Sequence, residues 1–530
     1  MSDAQPPEGE PAAAAAASVP RRGDRLLLLS VLAVATAGLV YELVSATMAS
    51  YLLGDSVTQW SLVIGVYLSA MGLGSYLSRG IERDLHGRFV AIQLGIAWVG
   101  GFSAALLFLG FAQLSTVRPL LFGLLTVVGT LVGLEIPLLL RILERGAALK
   151  DVVARVLAFD YVGSLAASLL FPLVLLPQLG LVRTAMALGL VNALVAVWFL
   201  RSFADEVGAH ARRTLLAWLT AAALACGLVF APAVEALGEH ELYDAPVVFS
   251  QRTPYQRLTL TRWRDDLRLY IDGNLQFSSL DEYRYHEALV HPVLALAPER
   301  ERLRVLVLGG GDGLALREIL ADARVAAVQL VDLDPAMTEL FAHHPVLVEL
   351  NRHAFDDARV TVDNADAMHW LAERRRGGAE PFDVAIVDLP DPNDFSLGKL
   401  YTHSFYRLLA SQLTPDGVMV VQATSPYLAP QAYWCIVRTL QAAGLSALPY
   451  HAHVPSFGDW GYVLASARGI APPRRLQPGV PRRFLDDASL PGLFVFPADQ
   501  RPPEVGINQL NDQLLVHYYE ADLQSPGRRG

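Results

Sequence analysis

RLRVLVLGGGDGLALREIL, residues 302–320, decides the fold. An unbroken apolar run from Val305 to Leu308 ends in Gly309-Gly310-Gly311-Asp312-Gly313, and a helix-forming segment follows. Such a run suits a buried parallel strand, which helices cover on both faces. The glycines permit a tight turn and let a ligand approach the backbone. Neither GxGxxG nor GxxxxGK[ST] is present, which argues against an ordinary dinucleotide site and against a P-loop.

Downstream, VAAVQLVDLD (325–334) reads as a second strand ending in acids, with Asp332 placed to hold ribose hydroxyls. ARVTVDNADA (358–367) reads as a third, ending at Asp366, and FDVAIVDLPDP (382–392) as a fourth, ending at Asp388 and Asp391. Ligands of open α/β sheets bind at the carboxyl ends of the strands. Asp312, Asp332, Asp366, Asp388 and Asp391 are therefore delivered to one rim. A single aspartate there is as often a helix cap or turn residue; the set points to a site. The arrangement fits a nucleoside-sulfonium ligand, as in methyltransferases that use S-adenosylmethionine. Asp312 would repel the α-carboxylate of that molecule and attract a ligand with only an ammonium at that end. Decarboxylated S-adenosylmethionine is such a ligand.

Upstream, YQRLTLTRW (255–263) and LRLYIDGNLQF (267–277) alternate and are rich in β formers. They predict a small antiparallel sheet at 246–280, with turns at 264–266 and 272–274. SSLDEYRYHEALVHPVLAL (278–296) then predicts a helix capped by Ser279 or Asp281.

Before residue 236 the character changes. The whole chain of 530 residues is 53% hydrophobic and 18% charged, with a mean hydropathy of +0.35. Soluble proteins carry about 25% charge. A disordered, a collagen-like and an ordinary soluble enzyme chain are thereby excluded. Seven segments, 26–51, 57–78, 89–112, 119–141, 157–178, 181–200 and 214–234, are long and apolar. About 20 apolar residues cross a hydrocarbon core, so a multi-pass lipid-membrane domain is expected. Glu42, Glu135 and Asp160 are the ionisable residues inside these spans, and Gly65, Gly72, Gly74 and Ser75 suit close helix packing. The tail and the second, fourth and sixth loops hold thirteen Lys and Arg, and the other loops two, Arg118 and Arg183. This bias puts the N-terminus in the cytoplasm. Seven spans then place everything after residue 236 on the opposite face. The net charge of −10 excludes a general nucleic-acid binder. Cys226 and Cys435 form no framework, and no metal-ligand cluster is visible.

The expected organisation is a disordered tail (1–25), the membrane domain (26–236), a β subdomain (237–285), a Rossmann-like, methyltransferase-type doubly wound domain (286–470) and a C-terminal extension (471–530).

The polar half resembles the spermidine synthase family, the polyamine aminopropyltransferases, and the seven-span extension resembles its membrane-bound bacterial branch. The resemblance rests on YQ (255–256), LYIDGNLQF (269–277), DEYRYHEALVHP (281–292), VLVLGGGDG (305–313), VDLD (331–334), DLPDP (388–392), the Gln422–Pro426 motif and PSFGDWGYVLAS (455–466). It implies transfer of an aminopropyl group from decarboxylated S-adenosylmethionine to a diamine such as putrescine, without a metal, at a cell (inner) membrane. It also implies a homodimer. Asp388 would take the proton of the attacking amine. Asp391 would hold the polyamine chain, and His286 and Asp312 would contact the amine and the aminopropyl ammonium. Tyr285 and Gln422 would line the amine channel. Gln256, Asp332, Gly309 and Gly311 would face the nucleoside, and Asp366 with Ala367 the adenine. Four positions depart from the family pattern: Leu314, Ala365 and Ala367 replace glycines, and Val454 replaces a tyrosine of the amine site. Two other readings remain open at this point: a membrane-anchored methyltransferase, and a polyamine transporter with a nucleoside-binding regulatory domain.

Overall fold

The computed structural model describes residues 22–53, 56–113, 117–144 and 149–524. Of the expected tail, residues 1–21 lie outside the described residues, and the first helix already begins at Arg22. The chain divides into two compact units between Gly238 and Glu239.

The first unit is helical: α1 (Arg22–Leu53), α2 (Ser56–Leu77), α3 (Leu85–Gln113), α4 (Arg118–Leu143), α5 (Leu149–Leu170), α6 (Leu176–Ser202) and α7 (His210–Leu242). Six helical stretches among the described residues are long and apolar enough to cross a membrane. One of them, Leu149–Ser202, has 54 residues, far more than a core of roughly 30 Å requires. It is not one straight rod. Gly180 adopts φ 72° and ψ −176°, which divides it into two arms. Thr184 Oγ1 donates back across this break to the Leu175 carbonyl at 3.2 Å. Both α5 and α6 pack on α1. The arms occupy the segments expected at 157–178 and 181–200. Of the small residues, Gly74 sits at a helix crossing, where a Cβ would stand 2.0 Å from the Thr130 carbonyl oxygen on α4. Gly65 and Gly72 instead face open space, so close packing does not explain them.

The second unit opens with an antiparallel meander, β1 (Val247–Arg252), β2 (Arg257–Trp263), β3 (Asp266–Ile271) and β4 (Asn274–Ser278). Asp272 and Gly273 turn β3 into β4 with φ 48° and 82°, as an Asp-Gly hairpin turn requires. Helix α8 (Glu282–Leu296) follows. Asp281 holds its N-cap position but makes no cap bond. Its carboxylate instead accepts from the Ser456 N–H at 2.6 Å and hydroxyl at 2.9 Å.

The main sheet is built from β5 (Leu303–Gly309), α9 (Leu314–Leu320), β6 (Val325–Asp332), α10 (Pro335–His343), α11 (Pro345–Leu350), β7 (Val360–Asn364), α12 (Ala367–Gly377), β8 (Phe382–Asp388), α13 (Phe395–Gly398), α14 (His403–Ala410), β9 (Leu413–Gln422), α15 (Pro430–Ala442), β10 (Ser446–Val454) and β11 (Gly458–Ser466). Its order is β7-β6-β5-β8-β9-β11-β10. Strands β5 to β9 are parallel, and β10 and β11 return antiparallel. The order reverses at β5, which lies between β6 and β8, so the ligand crevice opens at the carboxyl end of β5.

Two expected strand ends are shorter. Strand β7 stops at Asn364, so Asp366 is the N-cap of α12 and accepts from the His369 N–H at 2.9 Å. Strand β8 stops at Asp388, just before Leu389-Pro390. A proline cannot donate to the ladder, and Asp391 therefore lies in the loop beyond.

The stretch expected as an extension is woven into this unit. Glu287 accepts three backbone N–H bonds, from Arg483 (2.6 Å), Phe484 (2.9 Å) and Leu485 (2.9 Å). Leu476, Leu485, Leu490 and Leu493 are buried in the same core as β5. A last helix, α16 (Leu514–Gln524), packs on α15. The 285/286 boundary falls inside α8.

Candidate active site

The glycine loop links the two strands that flank β5. Gly309 has φ 79°, and a Cβ on it would stand 2.0 Å from the Asp388 carbonyl oxygen. Gly310 N–H donates to that same oxygen at 3.0 Å. Gly311 N–H donates to Asp332 Oδ2 at 3.1 Å, and a Cβ there would come within 2.6 Å of the same atom. Only backbone without side chains fits between the two aspartates.

On the β6 side, Asp332 ends its strand and also accepts from the Asp334 N–H at 2.9 Å. Burial pushes Asp332 up to about 6. Asp334 caps α10 through Ala336. It accepts as well from Thr253 Oγ1 at 2.8 Å and Gln256 Nε2 at 3.0 Å. Gln256 thus reaches this rim through Asp334, and the meander is tied to the sheet there. Farther along, Asp366 Oδ2 is paired with Lys399 Nζ at 2.5 Å. Burial works against the Asp366 charge, but the Lys399 bond prevails and holds the carboxyl below its ordinary range. Ala367, the first residue of α12, is buried beside it.

On the β8 side, Tyr285 of α8 donates its hydroxyl to Asp388 Oδ1 at 2.6 Å. Burial and then the like charge of Asp312 push Asp388 up to about 6, against the pull of His286 and Tyr285. Asp312 is also raised by burial, with His286 opposing. Its Oδ1 accepts from the Leu314 N–H at 2.9 Å. His286 Nδ1 lies 2.8 Å from the Glu282 carbonyl and 2.9 Å from Glu282 Oε2. Burial disfavours its charge, yet Glu282, Asp312 and Asp388 outweigh that and raise it to about 9. Glu282 is in turn gripped by both terminal nitrogens of Arg317, at 2.9 and 2.8 Å. Burial would raise Glu282, but His286 and Arg317 bring it down to about 2.

Asp391 is held from three sides. It accepts from Gln422 Nε2 at 3.1 Å, Thr424 Oγ1 at 3.1 Å and the Tyr519 hydroxyl at 2.8 Å. Burial raises it all the same. Gln422 also donates to the Leu389 carbonyl at 2.7 Å, and Tyr401 to the Pro390 carbonyl at 3.0 Å. These two bonds fix the loop that carries Asp391.

Tyr285, His286, Asp312 and Asp388 thus gather at one end of the crevice, linked by hydrogen bonds or charge. Asp391 on the adjoining loop meets Gln422 at the end of β9, and Gln256, Asp332, Gly311 and Asp366 lie on the opposite side. The sequence reading passed over Glu282, Arg317, Asp334, Lys399, Thr424 and Tyr519. The Glu282–His286 spacing of four on a helix was a visible signal, as was Asp334-Pro335 at a helix start. Lys399 and Tyr519 meet partners 33 and 128 residues away, with no local signal. Val454, where the family pattern has a tyrosine, is fully buried.

Fold and site together define a Rossmann-like sheet with buried carboxylates gathered at the carboxyl end of β5. Residues 282–472 match the spermine/spermidine synthase domain. Polyamine aminopropyltransferase 2 of Ralstonia nicotianae is 53% identical over 510 residues, covering 94% of this chain and 98% of the relative. The polyamine aminopropyltransferase of Leptospira interrogans is 46% identical over 500 residues, with 94% and 98% covered. The crystal structure of a spermidine synthase from Thermotoga maritima aligns with a TM-score of 0.42 at 24% identity, covering 47% of this chain and 84% of that one. The chain belongs to the polyamine aminopropyltransferase family, and the reaction it catalyses is aminopropyl transfer.

Proposed function

We propose that the donor is decarboxylated S-adenosylmethionine and the acceptor a diamine, with putrescine converted to spermidine. The observation that carries this reading is the hydrogen-bonded pair Tyr285–Asp388 beside Asp312, an acidic pocket at the carboxyl end of β5. The amine lone pair attacks the methylene next to the sulfonium. A nitrogen–carbon bond forms, the carbon–sulfur bond breaks with its electrons going to sulfur, and neutral methylthioadenosine leaves. An alkylammonium has a pKa of about 10, so little free amine exists at neutral pH. Asp388 takes that proton; raised to about 6, it is still ionised at pH 7 and is a better base than an ordinary carboxylate. The remaining catalysis is alignment of nitrogen, carbon and sulfur.

Asp312 draws the aminopropyl ammonium, and His286 lines the same end through Nε2. Asp391 and Gln422 hold the amine chain. Asp332 meets the ribose, Gln256 joins it through Asp334, Gly309 and Gly311 let the nucleoside approach the backbone, and Asp366 with Ala367 meets the adenine. The helical unit makes this a multi-pass cell-membrane protein in our reading, assembled as a homodimer. Counting both arms at Gly180 gives seven passes and an outward-facing transferase; counting one gives six and a cytosolic one. A reporter fused after Gly530 separates the two.

A product assay over a panel of diamines tests the function. Spermidine and methylthioadenosine from decarboxylated donor and putrescine are expected. Methylated amine from intact S-adenosylmethionine would overturn the reading.

A further inference from the structure

The helical unit carries a second polar cluster. Glu135 on α4 is 1% exposed and Gln93 on α3 fully buried, and Gln93 Nε2 donates to Glu135 Oε1 at 2.6 Å. On α6, Asn192 is 1% exposed and donates to the Tyr41 hydroxyl of α1 at 3.4 Å. Tyr41 lies within electrostatic reach of Glu135. Tyr67 of α2, fixed by a 2.7 Å bond to the Gly38 carbonyl, lies within reach of Tyr41, Glu42 and Glu135. Five helices thus contribute polar groups to one buried region.

Three buried side-chain oxygens there have no hydrogen-bond partner: Glu135 Oε2, Gln93 Oε1 and Asn192 Oδ1. Buried polar atoms are nearly always paired, and a carboxylate at membrane depth needs a positive partner. All three atoms are of one kind, acceptors. A proton on Glu135 would remove its charge but add a single donor for three acceptors. A cation bound among these helices would give the orphan oxygens the positive partner they lack. We propose that this cluster is a binding site for one monovalent cation stripped of water: an alkali ion, or a primary ammonium, whose three N–H donors equal the orphan oxygens in number. The site is separate from the transfer chemistry and does not depend on it.

Binding of radiolabelled sodium, rubidium and methylammonium to the full-length protein in detergent tests the inference, with choline holding ionic strength constant. At least one of these ions is expected to bind saturably, and which one binds identifies the source. Glu135→Gln should abolish that component while leaving aminopropyl transfer unchanged. On the proposed function methylammonium would also enter the transferase site, so only the component that Glu135→Gln removes counts. Gln93→Leu, which keeps the carboxylate, should weaken binding without lowering the melting temperature; it decides the matter if Glu135→Gln fails to fold. Saturable binding that survives both changes, or no saturable binding of any ion, overturns the site. Loss of transfer in wild-type protein would bear on the proposed function alone.

Discussion

The Tyr285 hydroxyl donates to Asp388 Oδ1 across 2.6 Å and joins α8 to the end of β8. This bond favours the ionised carboxyl, whereas burial and Asp312 favour the neutral one. The base form must be ionised, so the rate should fall as pH drops through about 6. In Tyr285→Phe the favouring bond is gone. The acid limb of the pH–rate profile should then move up by about one unit, the equivalent of one hydrogen bond to a charged group. An unmoved limb would show that Tyr285 does not act on Asp388.

Tyr519 reaches Asp391 from α16 at 2.8 Å. Asp391 is assigned to the bound amine chain and not to the reacting atoms. Tyr519→Phe should therefore raise the KM for the amine about fivefold to tenfold, with kcat little changed. Steady-state kinetics with varied amine check this, and a fall in kcat alone would move Asp391 into the chemical step.

How far the sequence could be read follows from the range of each interaction. The glycine loop, β6 with Asp332 and the hairpin at Asp272-Gly273 are governed by neighbours in the chain, and they stood out. Asp366 and Asp391 were placed on the right rim, but on strand ends. A helix cap and a proline set those positions locally, and the apolar pattern does not report them. The partners of these aspartates, Lys399 and Tyr519, are set by tertiary packing alone. The C-terminal stretch looked like an appendage because its anchors, the Glu287 carboxylate and scattered leucines, have no periodicity. The break at Gly180 falls between the apolar segments 157–178 and 181–200, and it rests on one φ angle.

His286 is held by Glu282, Asp312 and Asp388 to about 9, above its ordinary value of 6.5. A group raised on folding stabilises the fold fully below its unfolded value and loses that contribution as pH rises through the folded one. Stability of the transferase unit should thus decline between pH 6.5 and about 9, by an amount on the order of a few kcal/mol. Denaturant titrations of the wild type and His286→Gln across that window check it. The variant should show a flatter profile; equal slopes would remove His286 from the network.

Gly311 leaves no room for a side chain beside Asp332 Oδ2, which a Cβ would approach to 2.6 Å. Gly311→Ala should displace Asp332. The KM for the donor should rise about tenfold or more, roughly the loss of one charged hydrogen bond, with the amine KM unchanged. Methylthioadenosine binding by calorimetry reads this directly, and unchanged affinity would separate Asp332 from the nucleoside.

The central claim is that Asp388 takes the proton of the attacking amine. It is tested most directly by comparing aminopropyl transfer to putrescine in wild-type protein and in Asp388→Asn, with methylthioadenosine binding measured alongside. The amide is nearly isosteric but accepts no proton at this pH. Transfer should fall by a factor of about a hundred or more while methylthioadenosine binds as before. Near-normal turnover in Asp388→Asn would contradict the account.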